Sequence, residues 1–172
     1  MIQPQVQDAI NAQIVNELYA SNAYLSVASY MDGQGLKVLA AFFFRQSDEE
    51  RMHATKLLHY LLDVQGDLRI GAVPAPPMEF ASVESAIANS LAQEITVTNQ
   101  INAMMTIAHE SRDYATASFL KWFVDEQVEE QSSMTDLLHL VRRAGDQNLI
   151  LVEDRLMKQG VSPIGLANGG GE

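Results

Sequence analysis

Residues 36–64 read LKVLAAFFFRQSDEERMHATKLLHYLLDV, a stretch with neither glycine nor proline. Its inward positions alternate in steps of four and three residues, which is the spacing of a helix packed in a bundle. These positions are Leu39, Phe43, Gln46, Glu50, His53, Leu57, Tyr60 and Val64. Because this stripe is apolar towards both ends and polar in the middle, the sequence predicts a long bundle helix with a buried polar centre.

Three more stretches show the same pattern, at residues 4–31, 82–110 and 114–144. A short turn at 32–35 makes the first two helices antiparallel. The segment 65–81 is rich in glycine and proline and is long enough to run the length of a helix. A shorter helix follows at about 147–158. The sequence therefore predicts an all-α fold: a four-helix bundle with a long crossover between helices two and three and a short fifth helix.

Composition narrows the classes of function. The 172 residues fit one domain, predicted over 1–160, with a flexible tail at 161–172. A net charge of −11 argues against nucleic-acid binding and favours cationic partners. Cysteine is absent, so any metal site must use oxygen and nitrogen ligands. We see no targeting segment and no long apolar run, and therefore expect a soluble cytoplasmic protein without a membrane partner.

Four glutamates fall at matching heights of the predicted bundle. Glu17 and Glu50 are equidistant from the first turn, and Glu94 and Glu130 are equidistant from the turn before the fourth helix. The two hairpins repeat at an offset of 77 residues, which maps Glu17 onto Glu94. Four buried carboxylates repel one another, and each costs several kcal/mol to desolvate, so two divalent cations would neutralise them. The alternative is that some of the four face solvent.

The spacing Glu50-x-x-His53 places a carboxylate and an imidazole on one helix face. Carboxylate-rich ligation with one imidazole suits iron or manganese better than copper or structural zinc. Tyr24 lies two turns beyond Glu17 on the same stripe, either as a core tyrosine or as part of the site. The acidic run at 125–130 is either a solvated face or a source of further ligands.

At these residues the chain resembles the ferritins, specifically the bacterial non-haem ferritins, over about residues 5–158. The resemblance implies Glu17, Glu50 and His53 as ligands of one iron, and Glu50, Glu94 and Glu130 as ligands of the other. Gln127 matches a neutral residue beside the metals, and Tyr24 matches a tyrosine that orients a ligand or donates an electron. Glu49, Glu126 and Glu129 match a third, nearby iron site.

The resemblance implies ferroxidase activity and iron storage. Two ferrous ions bind, dioxygen or hydrogen peroxide oxidises them, and the ferric product enters a hollow homo-oligomeric shell of 24 subunits. Phe42 and Phe44 lie off the stripe, and we expect them to bury against neighbouring subunits. Haem is not expected, because haem-binding relatives have methionine directly after the bridging glutamate, where this chain has Arg51 before Met52.

Two rival classes are weighed against this interpretation. Another di-iron or di-manganese enzyme, such as a rubrerythrin-like peroxidase or a manganese catalase, would normally carry a second metal-binding histidine. His59, His109 and His139 all lie off the stripes, so the sequence disfavours that class. A catalytically silent storage subunit would lack several of the ligands, and all of them are present.

Overall fold

A computed structural model of the chain describes residues 2–163 and contains four long α-helices and a short fifth one. The helices are α1 (Pro4–Gly33), α2 (Lys37–Asp63), α3 (Val83–Glu110), α4 (Tyr114–Ala144) and α5 (Leu149–Lys158), with a 3-10 turn at Asp146–Asn148 before α5. An extended crossover joins α2 to α3. The predicted fold class is therefore confirmed. Most of the predicted flexible tail, 161–172, lies outside the described residues.

The helix boundaries follow from local chemistry. Pro4 stands in the first turn of α1, where its missing N–H leaves no helical hydrogen bond unmade. Ser82 and Ser85 form a reciprocal capping box at the start of α3, with both side-chain-to-backbone distances at 3.0 Å. Asp113 caps α4 by accepting from the Thr116 N–H at 3.1 Å. Gly145 ends that helix at a φ of +69°, which favours glycine.

The core of the bundle is divided into two apolar clusters by a polar layer. One cluster contains the end of α1, the start of α2 and much of α5, and includes Met31, Phe43 and Leu156. The other contains the start of α1 and the end of α2, and includes Ile14 and Leu57. The polar layer between them holds the predicted glutamates. Within residues 2–163, no helix is long and apolar enough to cross a lipid bilayer.

The expectation that both phenylalanines beside Phe43 face other subunits is wrong for Phe42. This side chain is only 9% exposed within its own chain and meets the Phe43 ring edge-on, with centroids 5.2 Å apart. The reason is that α5 packs against the start of α2 and adds Leu149 and Val152 to the same apolar cluster. Phe44 is 38% exposed, so its ring remains accessible to a neighbouring subunit.

A buried glutamate from α5 provides the missing cap of α2. The residue before α2, Leu36, has no side chain that can accept a hydrogen bond. Instead Glu153 Oε1 accepts from the backbone N–H of Val38 at 2.7 Å and of Leu39 at 3.2 Å. A carboxylate at a helix N-terminus also opposes the positive end of the helix dipole. Nothing in the local sequence predicts this contact, because the partners are more than a hundred residues apart.

Replacing Glu153 by alanine should destabilise the protein. The change leaves two buried N–H groups at the start of α2 without an acceptor, a loss of about 1–3 kcal/mol, or roughly 2–10 °C in Tm. Calorimetry on metal-free protein measures the shift. Asp154→Ala is the matched control, since Asp154 is exposed on the same helix. Equal melting temperatures for both variants would contradict the capping role.

Candidate metal centre

The first predicted metal position is assembled by α1 and α2. Ligand atoms of Glu17, Glu50 and His53 lie within 4.8 Å of one another, and all three residues are buried. His53 Nδ1 is 3.4 Å from Glu50 Oε2, as the three-residue spacing on one helix face predicts. The structure thus brings together the three side chains that the family resemblance implies for the first metal.

A second group of potential ligands joins α2 to α4. It joins His53 to Glu126 and Glu130 of α4, again with ligand atoms within 4.8 Å. Glu126 was predicted only for a third site, together with Glu49 and Glu129. Within residues 2–163 no group of three potential ligands contains Glu49 or Glu129.

The two remaining acidic residues of the predicted third site lie in different surroundings. Glu49 is half-buried, and its Oε2 accepts from Gln46 Nε2 at 2.5 Å. The same nitrogen lies 3.4 Å from Glu130 Oε2, so Gln46 links the two carboxylates. Glu129 is exposed. These residues therefore form a looser acidic edge beside the buried site.

Glu94 belongs to neither group, so within residues 2–163 the ligands predicted for the second metal, Glu50, Glu94 and Glu130, do not form a group of three. Two hydrogen-bond donors contact Glu94 instead. The Tyr24 hydroxyl donates to Glu94 Oε1, and Gln127 Nε2 donates to Oε2 at 3.1 Å. Tyr24 and Gln127 were both predicted to lie beside the site, and both contact the same carboxylate. Their hydrogen bonds fix where this glutamate stands in the polar layer.

Several ligand atoms at the first position have no hydrogen-bond partner in the described part of the chain. They are Glu17 Oε2, both carboxylate oxygens of Glu50, and His53 Nε2. The other oxygen of Glu17 accepts from Gln13 Nε2 at 2.9 Å. Unpaired buried polar atoms are costly, whereas carboxylate oxygen and imidazole nitrogen are good donors to a divalent iron ion. These ligand atoms therefore fit a divalent cation such as ferrous iron.

Burial raises the pKa of all four glutamates in the polar layer. Desolvation raises the pKa of Glu17 well above its usual value, and the nearby Glu50 raises it further. Burial and the charge of Glu94 raise the pKa of Glu50 well above its usual value. Burial also raises the pKa of Glu94. The pKa of Glu130 rises to about 8, through burial first and then the charges of Glu94 and Glu49. A cation that enters this layer would favour the ionised carboxylates and so oppose this rise in pKa.

Aromatic rings shield one side of the site. The His53 ring meets Trp122 edge-on at 5.4 Å and Phe123 at 5.9 Å between centroids. Lys56 Nζ lies 4.2 Å from the centre of the Trp122 ring, on the outer side of the bundle. Low polarity around His53 strengthens the electrostatic interactions within the site.

Two glutamines that contact the carboxylates, Gln13 and Gln46, are not among the predicted site residues. Gln46 stands in the stripe of α2, so its inward direction was predictable from spacing. Gln13 is buried but lies one residue away from the stripe of α1. Its position four residues before Glu17 was the only available signal.

Comparison with known proteins identifies the family of the chain. The family described as "Ferritin-like domain" matches residues 7–144. The chain belongs to the ferritin family. It is 37% identical over 158 residues to the bacterial non-heme ferritin of Staphylococcus aureus, covering 91% of this chain and 95% of that protein. The corresponding protein of Staphylococcus saprophyticus matches with the same identity and coverage. The predicted family is confirmed.

Solved structures agree with the fold. An open-pore ferritin from the archaeon Archaeoglobus fulgidus superposes with a TM-score of 0.88 and 35% identity, covering 91% of this chain and 98% of that chain. A humanized archaeal ferritin has a TM-score of 0.89 and 32% identity, covering 95% of this chain and all of its own.

The raised pKa values give the metal-free protein a pH-dependent stability. Glu130 has a pKa of about 8 when folded and about 4.5 when unfolded, so its burial costs nothing below pH 4.5 and progressively more up to pH 8. We expect Glu130→Gln to be more stable than wild type by about 1–3 kcal/mol at pH 8 and nearly equal at pH 4.5. Calorimetry across this range, without metal, measures the difference.

The exposed Glu110 at the end of α3 offers the matched control, Glu110→Gln. Its melting curve should follow wild type at every pH. If Glu130→Gln and wild type lost stability in parallel as the pH rises, the electrostatic cost assigned to Glu130 would be wrong.

Proposed function

We propose that this chain is the subunit of an iron-storing ferritin that oxidises Fe(II) to Fe(III) at a di-iron site and keeps the product inside a shell. The observation that carries the proposal is the buried group of Glu17, Glu50 and His53, with its unpaired oxygen and nitrogen atoms. Membership of the ferritin family supports the same activity.

Two ferrous ions are the substrate of this site. Glu17, Glu50 and His53 hold the first, while Glu50, Glu94 and Glu130 hold the second. Glu50 bridges them, which its two unpaired carboxylate oxygens support. Each ion loses one electron, and dioxygen or hydrogen peroxide accepts the pair. Two adjacent metal positions suit a two-electron oxidant.

The protein contributes binding, orientation and proton release. Cation binding lowers the carboxyl pKa values, because a nearby positive charge favours the ionised form, and the protons leave as the ions enter. Tyr24 and Gln127 orient Glu94 through the hydrogen bonds to its two oxygens. The contact of the Tyr24 hydroxyl with Glu94 supports an orienting role for this residue.

A third iron site at Glu49, Glu126 and Glu129 is also part of the proposal. All three carboxylates raise the pKa of Glu130, after burial and the charge of Glu94, so they lie within electrostatic reach of the pair. Glu126 lies close enough to Glu130 and His53 to share a cation with them. This edge would receive an ion that has left, or is approaching, the buried position.

The shell of 24 subunits rests on the family resemblance. Exposed apolar side chains support burial in an assembly: Phe44 on α2, and Ile150 and Leu151 on the outer face of α5. A cytoplasmic location remains a prediction.

The rival peroxidase class finds no support at the site. His59, His109 and His139 are all exposed, and His53 is the only histidine in the two potential ligand groups formed within residues 2–163. A second imidazole ligand would have to come from one of these surface positions.

The proposed function predicts that Glu50→Ala abolishes rapid iron oxidation. Loss of the bridging carboxylate affects both metal positions, so the initial rate should fall by about 100-fold or more. Stopped-flow absorbance after adding Fe(II) to aerobic apoprotein measures it. Gel filtration then shows where the ferric product elutes. With the wild-type protein, it should elute together with a large protein oligomer.

Asp48→Ala is the control for this experiment, because Asp48 is exposed on the same helix two residues earlier. It should oxidise iron as wild type does. A wild-type protein that shows no rapid phase, or whose ferric product precipitates free of protein, would refute the proposed function.

Loss of the third site should affect iron oxidation differently from loss of the buried pair. Glu129→Ala removes an exposed residue outside the buried pair, so the first rapid oxidation of two irons per subunit should stay within about twofold of wild type. The ratio of iron oxidised to oxygen consumed, and the rate of later turnovers, should change. Stopped-flow absorbance combined with an oxygen electrode separates these phases. Loss of the initial phase as severe as in Glu50→Ala would mean that Glu129 belongs to the buried pair.

A further inference from the structure

The hydroxyl of Thr98 stands at the centre of a hydrogen-bond network behind Glu94. It donates to the backbone carbonyl of Glu94 at 2.9 Å, one helical turn earlier on α3. It accepts from two side-chain amides of α4: Gln131 Nε2 at 2.5 Å and Gln127 Nε2 at 3.3 Å. A hydroxyl has one proton and two lone pairs, so every bonding position of Thr98 is used.

This network determines which way the Gln127 amide points. The only proton of the Thr98 hydroxyl is committed to a carbonyl, so the hydroxyl offers Gln127 nothing but a lone pair. The amide nitrogen must therefore face Thr98, and its second N–H is directed at Glu94 Oε2, 3.1 Å away. In the opposite orientation, the amide oxygen would meet a carboxylate and a lone pair, and both contacts would be repulsive.

Gln131 keeps the hydroxyl in this state. Its N–H occupies the second lone pair of Thr98, so the hydroxyl cannot turn its proton towards Gln127 without losing two hydrogen bonds. Thr98 and Gln131 are both half-buried, on neighbouring helices, and neither carries a charge that could bind a cation itself. Their effect on the site passes through Gln127.

We propose that Thr98 and Gln131 are positioning residues of the second metal position: they fix the Gln127 amide so that it holds the Glu94 carboxylate in place for the incoming ion. This inference rests on the proposed function. It adds two residues, on α3 and α4, whose side chains make no hydrogen bond to the side chain of a metal ligand.

In the described residues, the hairpin of α1 and α2 has no hydrogen-bond network like that of Thr98. Substitutions of Thr98 should therefore weaken the binding of only one metal ion. Ser21 is the counterpart of Thr98 at the 77-residue offset. Its hydroxyl contacts the backbone oxygen and the hydroxyl of Ser47, both at 2.9 Å, and within residues 2–163 it makes no hydrogen bond to a glutamine. The carboxylate of Glu17 is instead contacted by Gln13 of its own helix. The first metal position is therefore independent of Thr98.

The test uses the near-isosteric change Thr98→Val and zinc, which is not oxidised. Titration calorimetry of the metal-free full-length protein with Zn²⁺ should show two sites per subunit in wild type. In Thr98→Val the second site should weaken by about 10-fold or more, while the first stays unchanged. Gln131→Leu should show the same selective loss. Thr98→Ser, which restores the hydroxyl, should recover the second site.

Fe(II) oxidation provides an independent readout. Thr98→Val should need about 10-fold more Fe(II) for half-maximal initial rate, with a saturating rate within about threefold of wild type, because binding rather than electron transfer is weakened. Thr106→Val is the matched control. Thr106 donates to the Asn102 carbonyl at 3.0 Å, the same backbone bond that Thr98 makes, but on an exposed face.

Different outcomes would refute the proposed function and the positioning role of Thr98 and Gln131. Wild-type protein that binds no Zn²⁺ pair and oxidises no Fe(II) would refute the proposed function. A functional wild type with unchanged second-site affinity in Thr98→Val and Gln131→Leu would overturn the positioning role alone. Equal losses in Thr98→Val and Thr106→Val would also overturn it, since they would trace to the backbone bond. So would a Thr98→Ser variant that stays as weak as the valine variant.

Discussion

The structure depends on one electrostatic constraint, the burial of four carboxylates between two apolar clusters. Glu17, Glu50, Glu94 and Glu130 are all at most 6% exposed, and burial is the main cause that raises the pKa of each. Apolar packing above and below stabilises the bundle strongly enough to keep this layer closed. The bundle thus stores an unfavourable interaction that a divalent cation relieves. Buried carboxylates of this kind favour the binding of a cation, whatever the exact geometry of the ligands.

The two hairpins solve the same packing problem with different chemistry. In the first hairpin, Glu17 and Glu50 retain unpaired oxygens beside an imidazole. In the second hairpin, Glu94 has both oxygens hydrogen-bonded before any metal arrives. A hydrogen-bonded ligand and an unpaired one should differ in metal affinity, so the two metal positions that we propose would be unequal despite the pseudo-symmetric fold.

Periodicity predicted most of the fold, because a buried face leaves a regular mark on the sequence. The stripe of α2 identified Glu50 and His53, and the predicted stretches 82–110 and 114–144 agree closely with the bounds of α3 and α4. What the sequence could not reveal were contacts between distant elements. Phe42 was misplaced because the docking of α5 on α2 cannot be read from either helix alone. Glu126 was expected at the third site, yet it also approaches His53, since rotamers and helix rotation decide distances of a few ångströms.

The cap that Glu153 provides for α2 has a geometric consequence for assembly. Two hydrogen bonds to consecutive amides hold the carboxylate at the helix end, and so fix the direction in which α5 leaves the bundle. The exposed Ile150 and Leu151 are carried on that helix. Closed symmetric particles demand that each contact repeat at nearly the same angle, since small angular errors add up around a ring. A single buried carboxylate therefore sets the angle between α2 and α5. It thereby sets the direction in which the exposed apolar residues of α5 face a neighbouring subunit.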